Sequence, residues 1–394
     1  MKQSLRGLVS WRSHYAEPTN CVQLMKSSWV EIDLGALEHN IRQVRQTLRP
    51  ETAIMFVVKD RAYGHGIPGV VRKAASAGVT WFGVAYLHEA LEVRRAAPEA
   101  DILLLGATEP GDVDCLIEKR ITPLVLDEAH GRALAAEAAR AEKTLRAHLK
   151  IDTGMGRLGV LWEQAPAVFA QLKKLKGLDI VGVCTHFSSV EIRKPSLGGT
   201  QMERFLAADA SIAKLAGRKL FRHVSSSRAI LYQDEWDLDA VRPGILLYGY
   251  GTGEPRMRFK TKPLLQWKTV VMQVKHLPAG FPVGYYGTYV TPSPTVVATI
   301  AAGYADGYHR ALSNKGLVLV RGRRCPVIGR VSMNWITVDL GPDGVAAAGD
   351  EAVLIGTQGE CSVWAGELAR MARTIPYELL TSINPSAERR YLNA

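Results

Sequence analysis

Eight strand-like runs, whose starts lie roughly 20 to 40 residues apart, constrain this chain more than any other feature. They are Ala53–Val58, Thr80–Ala85, Ile102–Leu105, Thr122–Leu126, Leu145–Ile151, Asp179–Cys184, Lys219–Val224 and Ala240–Leu246. Amphipathic helical stretches such as Glu128–Glu142 and Gln201–Ala216 lie between most of them. Eight strands alternating with helices over about 200 residues is the pattern of a (β/α)8 barrel. A doubly wound open sheet is the alternative, but the first run lacks the G-x-G-x-x-G turn of a dinucleotide fold. Upstream, Trp29–Ile32 reads as a strand and Asp33 as the cap of a helix. The apolar face of that helix is Leu37, Ile41, Val44 and Leu48.

Past Gly249 the helical periodicity fades. Strands are expected at Leu265–Val274, Val296–Ala301, Gly316–Arg321, Val327–Val331, Trp335–Asp339 and Glu351–Ile355, with one helix at Val363–Arg373. The chain therefore divides into a barrel over 28–249 and a mostly β C-terminal domain over 250–394. The barrel is complete without the run at 29–32, which is left to join the β domain. Residues 1–27 carry four basic residues against Glu17 and no apolar core before a small-residue cleavage site. They read as a flexible extension and not a secretory signal.

The net charge of +11 arises from dispersed residues, without a Lys/Arg block or an interleaved aromatic-basic motif. That pattern argues for a solvated basic surface and against nucleic acid. No run reaches the roughly 18 apolar residues of a membrane span. The five cysteines are scattered and form no Cys-x-x-Cys pair, so neither a disulfide framework nor a zinc site is expected. A cytoplasmic setting, with no metal and no membrane, fits best.

In a barrel of this kind chemistry collects at the carboxyl ends of the strands. Lys59 and Tyr63 follow the first of the eight runs, and Asp152–Arg157 follows the fifth, with Lys150 inside it. His186 closes the sixth, Ser225–Ser227 follows the seventh, and Arg242-Pro243-Gly244 interrupts the eighth. Singly each has a bland reading: a snorkelling lysine, a core imidazole, a turn, an ion-pair arginine. Their shared rim argues otherwise. A lysine leaving an apolar strand is costly to desolvate as a cation, which suits it to Schiff-base chemistry. The hydroxyls of Tyr63 and Ser227, with the amides of Gly244 and Ile245, suit a phosphate. An aldehyde and a phosphate together suggest pyridoxal phosphate bound through Lys59.

From about residue 28 to 392 the chain resembles the alanine racemase family of fold-type III pyridoxal-phosphate enzymes. The motifs are V-K-x-x-A-Y-G-H-G at Lys59, D-T-G-M-G-R-L-G ending at Gly159, T-H-F at His186 and V-R-P-G-I-x-L-Y-G at Arg242. V-G-Y at Tyr285, A-G-Y-A-D-G-Y at Tyr304, G-R-V-S-M at Met333 and P-Y-E at Tyr377 follow in order. The resemblance implies interconversion of L- and D-alanine for peptidoglycan by two bases on opposite faces, Lys59 and Tyr285. It implies that His186 and Arg242 support Tyr285, and that Arg242 faces the pyridine nitrogen. Arg157 would hold the substrate carboxylate, and Lys150 matches the lysine that the family carries as a carbamate. Tyr377 would join Tyr63 and Ser227 at the phosphate. Tyr285, Tyr304 and Met333 would enter the site of a partner subunit, making a homodimer with shared active sites.

Departures from the family pattern are Asp60-Arg61 after the lysine, Ser226, Arg228, Tyr286 and Asn334. They bear on substrate range and leave a broader-specificity or serine-type racemase as an alternative. A fold-type III decarboxylase lacks support, because no W-G-P-x-C-D-like motif is present. A non-catalytic pyridoxal-phosphate binding or homeostasis protein is the alternative from another class. The residues after Gly249, which carry Tyr285, argue against it.

Overall fold

The structure, a computed structural model, describes residues 28–190, 196–232, 234–251 and 260–394. The extension expected over 1–27, and Cys21 with it, lies outside the described residues.

β1 (Ser28–Asp33) leads directly into α1 (Leu34–Thr47), where the Asp33 carboxylate accepts the Ala36 N–H at 3.1 Å. The cap is the expected one, and Leu37, Ile41 and Val44 are buried beneath it. The next strands are β2 (Ala53–Val57), β3 (Trp81–Val84), β4 (Asp101–Leu104), β5 (Ile121–Val125) and β6 (Leu145–Asp152). β7 (Val160–Leu161), β8 (Leu178–Cys184), β9 (Phe221–Ser226) and β10 (Ala240–Arg242) complete the set. All neighbours are parallel; β5 pairs with β6 and β10 with β2, so eight strands close a barrel and the short β7 adds to the outer edge of β6. Buried side chains such as Met55, Leu103 and Leu124 fill its interior. The intervening helices are α2 (Lys59–Tyr63), α3 (Ile67–Ser76), α4 (Leu87–Ala96) and α5 (Val113–Glu118). α6 (Glu128–Arg140), α7 (Ala165–Leu172), α8 (Leu197–Ala216) and α9 (Ser227–Tyr232) follow.

The eighth run is shorter than the expected Ala240–Leu246. Pro243 has no N–H for a ladder, and the Gly244 N–H turns aside to the Ser227 hydroxyl oxygen at 2.9 Å. The strand stops at Arg242 for that reason.

The β part contains β11 (Leu265–Leu277), β12 (Pro282–Val283), β13 (Tyr289–Val290), β14 (Thr295–Ile300), β15 (Leu317–Val320) and β16 (Arg323–Ile328). β17 (Ile336–Gly341), β18 (Glu351–Gln358), β19 (Cys361–Val363) and β20 (Glu388–Leu392) follow. Strands β11, β14, β17, β16, β15 and β18 pair in that order, all antiparallel, and β18 returns to β11. β1 lies along the first half of β11, from Ser28 opposite Thr269 to Ile32 opposite Leu265. The early strand thus belongs to the β sheet.

Two expectations change here. The strand expected at Val327–Val331 ends at Ile328, because Gly329 takes a positive φ of 75°. Arg321 and Gly322, both at positive φ, form the tight turn that starts it. Besides α10 (Ala365–Ala372) there is a second helix, α11 (Pro376–Ser382), too short to show a period and opened by proline at its first position.

The two parts are strapped together by Asn40, which is wholly buried on α1. Its amide donates to the carbonyls of Leu247 (3.0 Å) and Lys262 (2.8 Å), and its oxygen accepts the Lys262 N–H at 2.8 Å. Among the described residues no helix is long and apolar enough to cross a membrane. No cluster of His, Cys, Asp and Glu able to hold a metal occurs among them either.

Candidate active site

Lys59 leaves β2 on an unusual turn. Asp60, Arg61, Ala62 and Tyr63 all have φ between 51° and 55°, one left-handed helical turn closed by Gly64 at φ 83°. Left-handed backbone costs about 1–2 kcal/mol per ordinary residue, with Asp among the tolerated exceptions. Several contacts offset that cost. Glu89, buried at 3% exposure, accepts the Asp60 N–H on one oxygen at 2.5 Å. Its other oxygen accepts the N–H groups of Ala85 and Tyr86 at 2.9 and 3.2 Å. Arg61 donates to the Thr381 carbonyl near the end of α11 at 3.1 Å. The Tyr63 ring packs on Tyr248 and Tyr377, with centroids 4.8 and 5.8 Å away. The charged pair after Lys59 therefore has local work: an aspartate that tolerates the turn and an arginine that ties it to the β part.

The turn brings Lys59 to the rim of a cavity of about 440 Å³ at the carboxyl ends of the barrel strands. Lys59, Tyr63, Lys150, Arg157, His186, Ser227, Arg242, Gly244, Ile245 and Tyr377 all line it. Tyr285, Tyr304 and Met333 do not. They are 65%, 44% and 55% exposed on the β part. Backbone bonds from Tyr304 N–H to the Ser332 carbonyl and from Ala305 N–H to the Met333 carbonyl, both 3.0 Å, hold Tyr304 and Met333 together. Tyr286 sits beside Tyr285 at φ 64°, its ring 4.7 Å from the Arg330 guanidinium.

One end of the cavity offers neutral donors. The Ser227 oxygen accepts N–H groups from Gly244 (2.9 Å) and Leu246 (3.3 Å), which leaves its own O–H to donate. The Tyr63 hydroxyl lies against Gly244, where any Cβ would come within 2.6 Å of it. Only glycine permits that approach. Burial raises the Tyr63 pKa, with Tyr377 and Asp60 adding, so the hydroxyl keeps its proton and remains a donor.

The other end is cationic and locked. Arg242 is buried, and donates to the carbonyls of His223 (2.5 Å), Thr185 (2.7 Å) and Val224 (3.0 Å). It also donates to Nδ1 of His223 at 2.7 Å and meets Nδ1 of His186 at 3.4 Å. A guanidinium has no acceptor, so His223 carries its proton on Nε2 and gives it to Nδ1 of His148, 2.9 Å away. His148 in turn is protonated on Nε2. Burial, reinforced by Arg242, pushes His186 down to about 3 and keeps it neutral. The same burial takes His148 to about 3 and lowers His223.

Lys150 projects from β6 into this end. Burial pushes its amine down to about 8; the cations of Arg242 and Arg157 add to the fall and Cys184 opposes it. Lys59, by contrast, is only partly buried. The strongly desolvated amine of this cavity is Lys150, and not the strand-end lysine that desolvation singled out in the sequence. Asp152 accepts the N–H groups of Gly154, Met155 and Gly156 at 2.8–2.9 Å, fixing the loop that presents Arg157. A Cβ on Gly159 would lie 2.7 Å from the Lys150 carbonyl oxygen, so that loop passes directly over β6.

The sequence carries no local signal that marks Glu89, His148 or His223 as part of this site. Tyr86-x-x-Glu89 lacks the Ser or Thr of a capping box, and the two histidines sit inside strands, where an imidazole reads as core.

The chain matches the model described as alanine racemase, N-terminal domain, over residues 32–252, and that described as alanine racemase, C-terminal domain, over 264–391. It is 40% identical over 370 residues to an alanine racemase of Carboxydothermus hydrogenoformans, covering 93% of this chain and 100% of that protein. The crystal structure of alanine racemase from D-cycloserine-producing Streptomyces lavendulae superposes with a TM-score of 0.86 at 35% identity, covering 94% of this chain and 98% of that one. A structure from Bartonella henselae, described as having covalently bound pyridoxal phosphate, gives 0.83 at 28% identity, covering 93% and 99%. The chain belongs to the alanine racemase family.

Proposed function

We propose that this protein interconverts L- and D-alanine with pyridoxal phosphate, by a two-base mechanism in a homodimer. The observation that carries the reading is the two-ended cavity. A lysine stands at its rim, neutral donors gather at one end, and a fixed cation with a neutral imidazole occupies the other.

The residues fit the cofactor. Tyr63, Ser227, Gly244, Ile245 and Tyr377 would hold its phosphate, Lys59 its aldehyde, and Arg242 would face its ring nitrogen. When bound, the cofactor acidifies the substrate Cα–H bond by drawing its electrons into the ring. A guanidinium does not give up its proton, so Arg242 would donate to that ring nitrogen without protonating it. Arg157 orients the substrate carboxylate. Lys150, whose amine is neutral in a substantial fraction from about pH 8 upward, would become an anionic partner for Arg157 on taking up carbon dioxide.

Lys59 moves the proton on one face, serving the D enantiomer. The other face needs a base for the L enantiomer, and Tyr285 of the same chain is absent from the cavity lining. Tyr285 from a second copy would complete the site, with Tyr304 and Met333 narrowing the entrance. A tyrosine at its reference pKa of about 10 is a weak base; neutral His186, whose Nδ1 faces Arg242 and whose proton therefore sits on Nε2, would donate that N–H to the tyrosine oxygen and favour its anion.

Deuterium wash-in at Cα from both alanine enantiomers tests the reading; absence of exchange in cofactor-loaded dimer refutes it. Growth of a D-alanine auxotroph supplied with this chain tests the role in peptidoglycan. Exposed Asn334 and Tyr286 beside the entrance residues favour a second reading, a broader or serine-directed racemase. Rates over an amino-acid panel, with Asn334→Asp, decide it.

A further inference from the structure

Among the described residues five cationic side chains line the cavity, and four have a place in the reading above: Lys59, Lys150, Arg157 and Arg242. The fifth is Arg228. It follows Ser227 on α9, so it stands at the end of the cavity where the donors are otherwise neutral. Its Nε–H donates to the Val190 carbonyl at 2.9 Å, and its guanidinium lies 5.5 Å from the centre of the Tyr232 ring. These contacts fix the side chain against the wall. Its charge reaches Tyr377, where it counters the rise that burial imposes on that hydroxyl. Tyr377 in turn packs on Tyr63. Arg228 therefore stands among the groups assigned to the phosphate.

A phosphate monoester carries a charge near −1.5 to −2 at neutral pH. Hydroxyls and amides bind it without neutralising it. A guanidinium adds charge, and hydrogen bonds between opposite charges are about twice as strong as neutral ones. We propose that Arg228 is a phosphate-recognition residue, setting the preference of this site for the phosphorylated cofactor over its dephosphorylated form. The proposal rests on the pyridoxal-phosphate assignment above.

The test titrates apoprotein with pyridoxal phosphate and with pyridoxal, following absorbance of the lysine-bound form. Arg228→Ala should raise the Kd for pyridoxal phosphate about tenfold to a hundredfold, the range of one hydrogen bond to a charged group. It should leave pyridoxal binding within about twofold. Arg228→Lys should retain most of the preference. Arg228→Gln, which keeps a donor towards Val190 while removing the charge, should behave as Ala does. The fall of pyridoxal-phosphate affinity with salt should be steeper for wild type than for Arg228→Gln. An unchanged preference in Arg228→Gln, or an equal loss for both ligands, would overturn the proposal and reduce Arg228 to a wall residue. Wild-type protein that binds neither ligand, and yields no borohydride-fixed adduct at Lys59, would overturn the cofactor assignment itself and this inference with it.

Discussion

Replacing Glu89 by glutamine should release the turn that aims Lys59. The wild-type carboxylate accepts three backbone N–H groups, one from Asp60 and two from the start of α4. Glutamine has one oxygen and one NH₂. If the oxygen faces Ala85 and Tyr86, the NH₂ meets the Asp60 N–H, donor against donor. A buried donor left without a partner costs about 1–3 kcal/mol, and loss of charge assistance on the other two bonds adds roughly 1 kcal/mol each. The expected destabilisation is about 3–5 kcal/mol. It is concentrated on a turn that already carries four left-handed residues, of which Arg61, Ala62 and Tyr63 together cost about 3–6 kcal/mol. Local opening should therefore precede global unfolding. Hydrogen exchange at the Asp60 amide should accelerate by two orders of magnitude or more, the urea midpoint should fall, and covalent capture of cofactor at Lys59 should weaken. Unchanged protection at Asp60 with an unchanged urea midpoint would show that the carboxylate does not hold the turn.

Gly64→Ala should cost roughly 3 kcal/mol or more, in the range of steric and strained-backbone substitutions. Its φ is 83° and the new Cβ would sit 2.3 Å from the Leu380 carbonyl oxygen; thermal denaturation against wild type reads the loss. Acid should destabilise the fold early. His65 is held at about 4, His148 and His186 at about 3, and His223 is lowered too, chiefly by burial. Each stays neutral when folded but takes a proton near pH 6.5 when unfolded. Stability is thus complete above pH 6.5 and is lost as pH falls towards 4 and 3. Between pH 6.5 and 5.5 each contributes roughly 1 kcal/mol, so urea midpoints should drop steeply across that unit; a flat profile would contradict the burial. Carbon-13 bicarbonate should label Lys150, increasingly as pH rises through about 8, and Lys150→Met should abolish the signal. Mixing Lys59→Ala with Tyr285→Phe, each unable to racemise, should restore part of the racemisation of L- to D-alanine, because a hybrid dimer regains one complete site; no recovery after verified subunit exchange would refute a shared site.

The barrel strands were legible because a strand buried on both faces needs a near-continuous apolar run, and those runs recur. The rim residues were legible because polar groups at the ends of such runs are costly unless used. What stayed hidden depends on partners distant in sequence. The α11 helix, which supplies Tyr377, is seven residues long, too short for a period to emerge. The His148–His223–Arg242 chain joins three strands. No local pattern in any one strand could show that each imidazole is tied by the tautomer of the next.

The two lysines of the cavity show why placement matters more than strand position. Lys150 lies within β6 and is almost fully buried, so the low-dielectric interior, and after it two neighbouring arginines, disfavour its charge. Lys59 lies one residue beyond Val58, on a turn that lifts it to the cavity rim. A lysine that must bind an aldehyde, then leave it and carry a proton, needs room to move, which a strand interior denies. A lysine that orients an arginine needs the opposite. If this division is right, exchanging the constraints should fail in a characteristic way. Loosening the turn through Glu89→Gln should impair cofactor capture at Lys59 while leaving bicarbonate labelling at Lys150 intact. Loss of both together would mean that the turn supports the whole cavity and not the aim of one amine.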